Sequence, residues 1–562
     1  MKIKSAFLLL FCVQLVFAQF TDYNTVKEVR AKNKGVVVSA HPLASEAGAK
    51  MLRIGGNAYD AAVATQYALA VVYPQAGNIG GGGFLVGVKN NGEKFTLDYR
   101  ETAPEKSSHN MYWDKKGNAN TDLSQNGRLA VGIPGSVAGM FATLEYCNLT
   151  MAQLIQPAID LAEQGFAITD REANLLNSQR DKFLKHNKNQ TAFTKETAWK
   201  SGDLLIQKDL AETLKRIQKY GAKDFYEGKT AQLIISEMKR GNGIINKKDL
   251  KNYTVKKRKP LVFNYKGNEV VTMPLPSSGG ILLAQMLKMS AYENLEKYQQ
   301  NSIKAVQIMV EAERRAYADR AEYMGDPDFI EDKTAMLISD EYLKNRWKSY
   351  NPEKATASAD VGKIIKQPEE STETTHISIL DKDGNSASIT TTLNGYYGSK
   401  VVVSGAGFFL NNEMDDFSIK PGVPNMFGAV GGEANKIEPG KRMLSSMTPT
   451  IVLKNNQPII VVGTPGGTTI PTSVYQSIVN IVDFQLSPNI AVNAPKFHHQ
   501  WLPELIEFEK DFPKITIKEL EEMGYKSKYR NQIGRTELIA IDENGNTIAV
   551  ADGRGDDSVS VE

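Results

Sequence analysis

The chain has 562 residues, a formal net charge of +3, 23% charged and 41% hydrophobic residues, and two cysteines. This is ordinary globular composition, which excludes a chain disordered throughout, and so small a charge at this length argues against nucleic acid as a partner. Cys12 falls in a leader-like start, so Cys147 alone remains; an internal disulfide is excluded and a thiol centre is a poor candidate.

Lys2 and Lys4 precede an apolar run from Ala6 to Val16, and Val16-Phe17-Ala18 ends on a small residue. That pattern is a secretory signal peptide over residues 1–18, cut after Ala18. The run is too short to span a bilayer, and bulky Phe11 argues against a lipid anchor on Cys12. A soluble protein exported across the inner membrane, periplasmic or extracellular, is expected. Beyond the leader, Gly35 to Ser39 reads as a short strand and Leu43 to Ile54 as a helix ended by Gly55-Gly56. Asn57 opens a second helix whose Ala61, Ala64 and Ala68 form a small-residue face. Further helices are predicted at Leu154 to Gln164 and Ala305 to Arg320. From about Pro352 to Glu373 the chain turns polar and charged, as an exposed connector does. Thr374 to Leu380 then alternates with β-branched residues, Asp381 to Asn385 is a turn, and Ser386 to Leu393 alternates again: a β-hairpin. The same turn chemistry recurs at Asp542 to Asn546.

Several catalytic signatures are absent. No serine sits in G-x-S-x-G, no lysine follows Gly463-Thr464-Pro465-Gly466-Gly467-Thr468 as a phosphate loop requires, and Gly80 to Gly83 does not complete a dinucleotide pattern. Six scattered histidines, with His498 and His499 pointing oppositely from any regular strand, give no metal site. No cofactor is expected. What remains are polar and glycine clusters at Thr374-Thr375, Asn411 to Asp416, Ser445-Ser446 and Gly466-Gly467. On periodicity alone these read as ordinary loops.

In chain order these clusters resemble the gamma-glutamyltranspeptidase family, one of the N-terminal nucleophile hydrolases. The resemblance is carried by Pro74 to Phe84, Asp98-Tyr99-Arg100-Glu101-Thr102-Ala103-Pro104, Pro276 to Gly280, Tyr317-Ala318-Asp319-Arg320, Thr374 to Ser378, Asn411 to Phe417, Leu444 to Pro449, Thr464 to Gly467 and Pro495 to Gln500. It implies an α+β fold, an αββα sandwich formed jointly by two autoprocessed subunits, 19–373 and 374–562. It also implies an activity: a gamma-glutamyltransferase and glutathione hydrolase that passes a gamma-glutamyl group to water or to an amino acid or peptide.

The same resemblance assigns roles. Thr374 cuts its own bond to Glu373 and then serves as nucleophile with its freed α-amine as base. Thr392 orients it, and Gly466 and Gly467 form the oxyanion hole. Arg100, Ser445 and Ser446 hold the substrate α-carboxylate, and Asn394, Glu413 and Asp416 surround the α-ammonium. Pro421 to Pro439 forms a lid, with Phe427 where the gating aromatic is often tyrosine. Asp415 is read as structural, and His498 and His499 receive no role. The competing readings are a glutaryl-type acylase of the same fold, a polyglutamate depolymerase, against which the lid argues, and a non-catalytic envelope binding protein.

Overall fold

The computed structural model describes residues 25–362, 374–426, 428–429 and 431–562. The leader, Glu373 and Phe427 lie outside the described residues. Fourteen strands carry the architecture: β1 (Glu28–Ala31), β2 (Val36–Ser39), β3 (Gly82–Val88), β4 (Lys94–Asp98), β5 (Lys256–Arg258), β6 (Leu261–Tyr265), β7 (Asn268–Thr272), β8 (Thr375–Leu380), β9 (Ser386–Thr392), β10 (Thr450–Lys454), β11 (Gln457–Gly463), β12 (Glu537–Ile541), β13 (Thr547–Ala551) and β14 (Ser558–Val561). One antiparallel sheet runs β1-β13-β12-β11-β10-β7-β6 and the other β14-β2-β8-β9-β3-β4-β5.

Alternation along the strands explains the layering, because successive side chains of a strand point to opposite faces. Val36, Val38, Phe84, Val86 and Leu380 on one sheet meet Val271, Ile451, Leu453, Val461 and Ile539 on the other. The intervening residues turn outward to helices: Val37, Leu85, Ile377 and Ile389 pack under α1 (Pro42–Arg53), α2 (Ala58–Val72) and α3 (Met151–Gln164). On the far side Val270, Val452, Ile460 and Leu538 pack under α4 (Gly279–Ala291), α5 (Ile303–Tyr323) and α6 (Thr469–Val482). The result is the αββα sandwich.

The predicted elements correspond closely. The helix opened by Asn57 is α2, whose Asn57 side chain and Asp60 form a reciprocal capping box. The hairpin falls at β8 and β9, and the Asp381 carboxylate accepts from the Asp383 and Asn385 N–H groups at 3.0 and 2.9 Å. Asp542 repeats this between β12 and β13, accepting from Asn544 and Asn546 at 3.0 and 2.9 Å. In the polar connector, the described part carries a short helical turn at Ser358–Val361. Among the described residues no helix is long and apolar enough to cross a membrane. Burial, helped by Asp60, pushes the Cys147 thiol well up, away from the reactive thiolate.

Candidate active site

Strand register brings the two threonines together. Thr375 pairs with Thr391 and His376 with Thr390, so the next step of the same register sets Thr374 opposite Thr392. Both have the parity of His376 and Ser378, whose neighbours lie across the sandwich: Ser378 Oγ donates to the Glu537 carbonyl at 2.9 Å. Thr374 therefore stands at the first position before β8, 4% exposed, at the end of the space between the sheets. The Thr392 hydroxyl accepts the Asn394 N–H at 2.7 Å, and the Thr392 carbonyl is held by the Asn78 side chain at 2.9 Å. The glycine block is needed here: a methyl on Gly81 would lie 2.1 Å from that carbonyl.

Thr374, Thr392, Asn394 and Gly467 line one small cavity, with about 330 Å³ of space between atoms. Arg100, Asp416, Ser445 and Ser446 line its other side. A larger cavity, about 1350 Å³, opens beside Asn189, Gln207 and Arg240 and holds none of these residues; chemistry, not size, marks the site. Gly466 and Gly467 occupy the left-handed half of backbone space, φ 139° and 58°, where a side chain is strained. Among the described residues neither glycine spends its N–H on a partner. Helix α6 starts two residues later, so its positive end faces the cavity.

The ionic side is denser than the sequence suggested. Arg100 is 1% exposed and meets Glu413 and Asp416, each at 2.5 Å, with Glu101 at 3.6 Å. Its remaining N–H groups reach the Met443 and Leu444 carbonyls. Burial opposes the guanidinium charge, but Glu413 and Asp416 outweigh it and hold the group firmly charged. Burial pushes Glu101 up to about 8, with Arg100 opposing, and raises Glu413 in the same way. Glu413 is fully buried against Arg100 and is not among the residues lining the cavity. Asp416 does line it, and accepts from the Asn425 side chain at 2.8 Å.

That bond seats the predicted lid: Asn425 and Ala429 both line the cavity, and the Ala429 N–H donates to the Asn425 side chain at 3.1 Å. Asp415 does not line the cavity and bonds Ser124 and the Met426 N–H. Ser445 is fixed by the Pro276 to Gly280 segment: Ser278 Oγ donates to the Ser445 carbonyl at 2.7 Å, and Ser445 N–H to that of Pro276 at 2.9 Å. His498 bonds Thr472 and Gln500, both at 2.9 Å, and is kept neutral by burial. Among the polar residues lining the cavity, Arg320 and Thr468 were given no role from sequence, and Asn425 entered only as part of the lid segment. The Tyr317 to Arg320 motif was the available signal for the first. Among the described residues no cluster of acids, histidines or cysteines could hold a metal.

Comparison with known proteins agrees with this geometry. The family model for gamma-glutamyltranspeptidase matches residues 44–562. A glutathione hydrolase proenzyme of Escherichia coli K12 is 43% identical over 95% of this chain and 92% of its own length. One from Bacillus subtilis 168 is 37% identical over 94% and 92%. Among solved structures, a cephalosporin acylase from Bacillus halodurans superposes with a TM-score of 0.83 at 26% identity, covering 96% of this chain and 98% of that one. The Helicobacter pylori gamma-glutamyltranspeptidase gives 0.57 at 48% identity, covering 57% and 93%. A family model over residues 44–562, with relatives of 37% and 43% identity covering nearly the whole sequence, has one meaning: the chain belongs to the gamma-glutamyltranspeptidase family.

Proposed function

We propose that the protein is an autoprocessed gamma-glutamyltransferase and glutathione hydrolase, cut before Thr374 into subunits 19–373 and 374–562 and exported on its leader. A threonine hydroxyl needs a base to become a nucleophile. A free α-amine, with a pKa of about 8, keeps a useful neutral fraction near neutral pH, and Thr374 has none while it is bonded to Glu373. In the precursor the Thr374 hydroxyl adds to the Glu373 carbonyl; the peptide nitrogen leaves as the new α-amine, and water releases the Glu373 carboxylate from the resulting ester.

In the mature enzyme that amine takes the hydroxyl proton as Oγ1 attacks the gamma-glutamyl carbonyl. The tetrahedral oxyanion meets the uncommitted N–H groups of Gly466 and Gly467, one such donor being worth roughly 3 kcal/mol of barrier. The proton passes to the departing amine, such as that of cysteinylglycine from glutathione. Water, or the amine of an amino acid or peptide, then resolves the gamma-glutamyl-threonine ester.

The observation that carries this reading is the single cavity shared by Thr374, Thr392 and Gly467 with Arg100, Asp416 and the serine pair. Arg100 already clasps two carboxylates. A zwitterionic head brings an anion for the arginine and a cation for Asp416, the acid that lines the cavity. A glutaryl group brings the anion alone and no cation for Asp416, which is costly in a largely buried site. A relative named Acylase ACY 1 proenzyme, from Pseudomonas sp. SE83 and 34% identical over 95% of this chain and of its own length, keeps the acylase reading as the one to beat. Turnover of gamma-glutamyl-p-nitroanilide against glutaryl-p-nitroanilide separates them. We expect the first to be favoured by at least about 100-fold, the worth of roughly 3 kcal/mol; preference for the glutaryl substrate would overturn the assignment. Product analysis with glutathione, with and without an acceptor dipeptide, gives the balance of hydrolysis and transfer.

A further inference from the structure

Six arginines are buried among the described residues: Arg100, Arg314, Arg315, Arg320, Arg442 and Arg535. Five of them have a carboxylate within 4 Å: Arg100 has Glu413 and Asp416, Arg314 and Arg315 share Glu311, Arg442 has Asp98 and Arg535 has Asp557. Arg320 has none among the described residues. Its Nε donates to Ser278 Oγ at 3.1 Å and one Nη2 hydrogen goes to Ser446 Oγ at 3.3 Å. No partner among the described residues takes up its Nη1, and the side chain lines the same cavity as Thr374.

A buried cation without a counter-ion is costly, and it persists where an anion joins it or where hydrogen bonds alone suffice. Two neutral hydroxyls leave three of the five guanidinium N–H groups uncommitted. Arg100, the other arginine of the cavity, is already paired with Glu413 and Asp416 before any ligand arrives. Of the carboxylates only Asp416, from beyond ion-pair distance, acts on Arg320, so the positive charge least matched by acids in this cavity is that of Arg320. Helix α5 also ties this residue to the reacting end of the cavity: one turn earlier, Tyr317 donates its hydroxyl to the Thr468 carbonyl, just after Gly466-Gly467. Residues three apart share a helix face, so one rigid stripe touches both the loop beside the nucleophile and the paired serines.

We propose that Arg320 is a specificity-determining residue that holds the α-carboxylate of the gamma-glutamyl donor together with Ser446, complementing Arg100. This rests on the donor reading above. Arg320→Lys keeps the charge but loses the fork, and Arg320→Gln loses both. The test compares both processed variants with the wild type on gamma-glutamyl-p-nitroanilide and on its α-methyl ester, in which the carboxylate is neutral. For the free acid, KM should rise about 10- to 100-fold in Arg320→Gln, the usual worth of a charge-assisted hydrogen bond, and by less in Arg320→Lys, with kcat within about threefold. On the ester, wild type and variants should agree within about twofold.

Equal losses on acid and ester, or an unchanged KM for the acid, would overturn the proposal and leave Arg320 a structural brace. Should Arg320→Gln fail to fold or to be cut, Arg320→Lys decides by the same two readouts. A wild type that ignores gamma-glutamyl-p-nitroanilide would instead defeat the donor reading itself, so the two failures are distinct.

Discussion

The imidazole of His376 packs directly against Gly463, so that a methyl group on the glycine would come within 2.2 Å of the ring. His376 is two residues after Thr374, and Gly463 is the last residue of β11, three before Gly466. The ring also bonds Thr390 at 2.9 Å and Ser378 at 3.2 Å, and burial lowers it to about 3, so it stays neutral. This contact joins the strand that presents Thr374 to the loop that presents the two free N–H groups. Gly463→Ala should push strand and loop apart. We expect kcat to fall by 10-fold or more, about 1.4 kcal/mol in the barrier, with slower self-cleavage. Wild-type kcat in that variant would show the two elements to be independent.

Arg100 invites a second comparison. Arg100→Lys keeps a charge for Glu413 and Asp416 but loses the bidentate fork, so the chain should still be cut and KM for glutathione should rise. Arg100→Gln leaves the acids buried without a cation, and removing one partner of such a pair costs about 3–5 kcal/mol. Denaturant unfolding should show that loss in Arg100→Gln. Equal stability of the two variants would mean that the acids do not depend on this arginine.

Much of this site was legible in local sequence, and the parts that were not have a common cause. The hairpin from Thr374 to Leu393 shows in the alternation of β-branched residues and in the Asp381 turn, and its register alone brings Thr374 opposite Thr392. The caps at Asn57 and Asp381 are short-range hydrogen bonds, so they too can be read directly. Family resemblance supplied Arg100, but not that its side chain is engaged by acids more than 300 positions away. Arg320 was quoted as part of a motif without a role, because an arginine's worth depends on which carboxylates fold near it. Gly81 likewise resembles any flexible residue until the Thr392 carbonyl is found against it.

Lys400 gives a pH prediction. Its side chain is 5% exposed and its ammonium donates to the Tyr396 and Gly398 carbonyls. Among the described residues it has no carboxylate partner. Burial, with Lys182 nearby, pulls it down to about 7. The unfolded chain, near 10.5, then binds more protons than the folded one between about pH 7 and 10.5. Stability conferred through this residue should rise with pH across that window, by up to about 1.4 kcal/mol per unit, and be fully lost below pH 7. Lys400→Met also removes two hydrogen bonds, a cost that does not vary with pH. Its stability relative to the parent should therefore be highest near pH 7 and decline toward pH 10. Denaturation in an uncut Thr374→Ala background keeps unfolding unimolecular; parallel pH curves would contradict the assignment.

Whether Thr374 becomes a free N-terminus is settled most directly by intact-mass analysis of the purified, active protein beside its Thr374→Ala variant. The expected result is two chains for the active protein, the smaller running from Thr374 to Glu562, and a single inactive chain for the variant. An active protein whose Glu373–Thr374 bond is whole, or a variant cut at that same bond, would contradict the mechanism at its root.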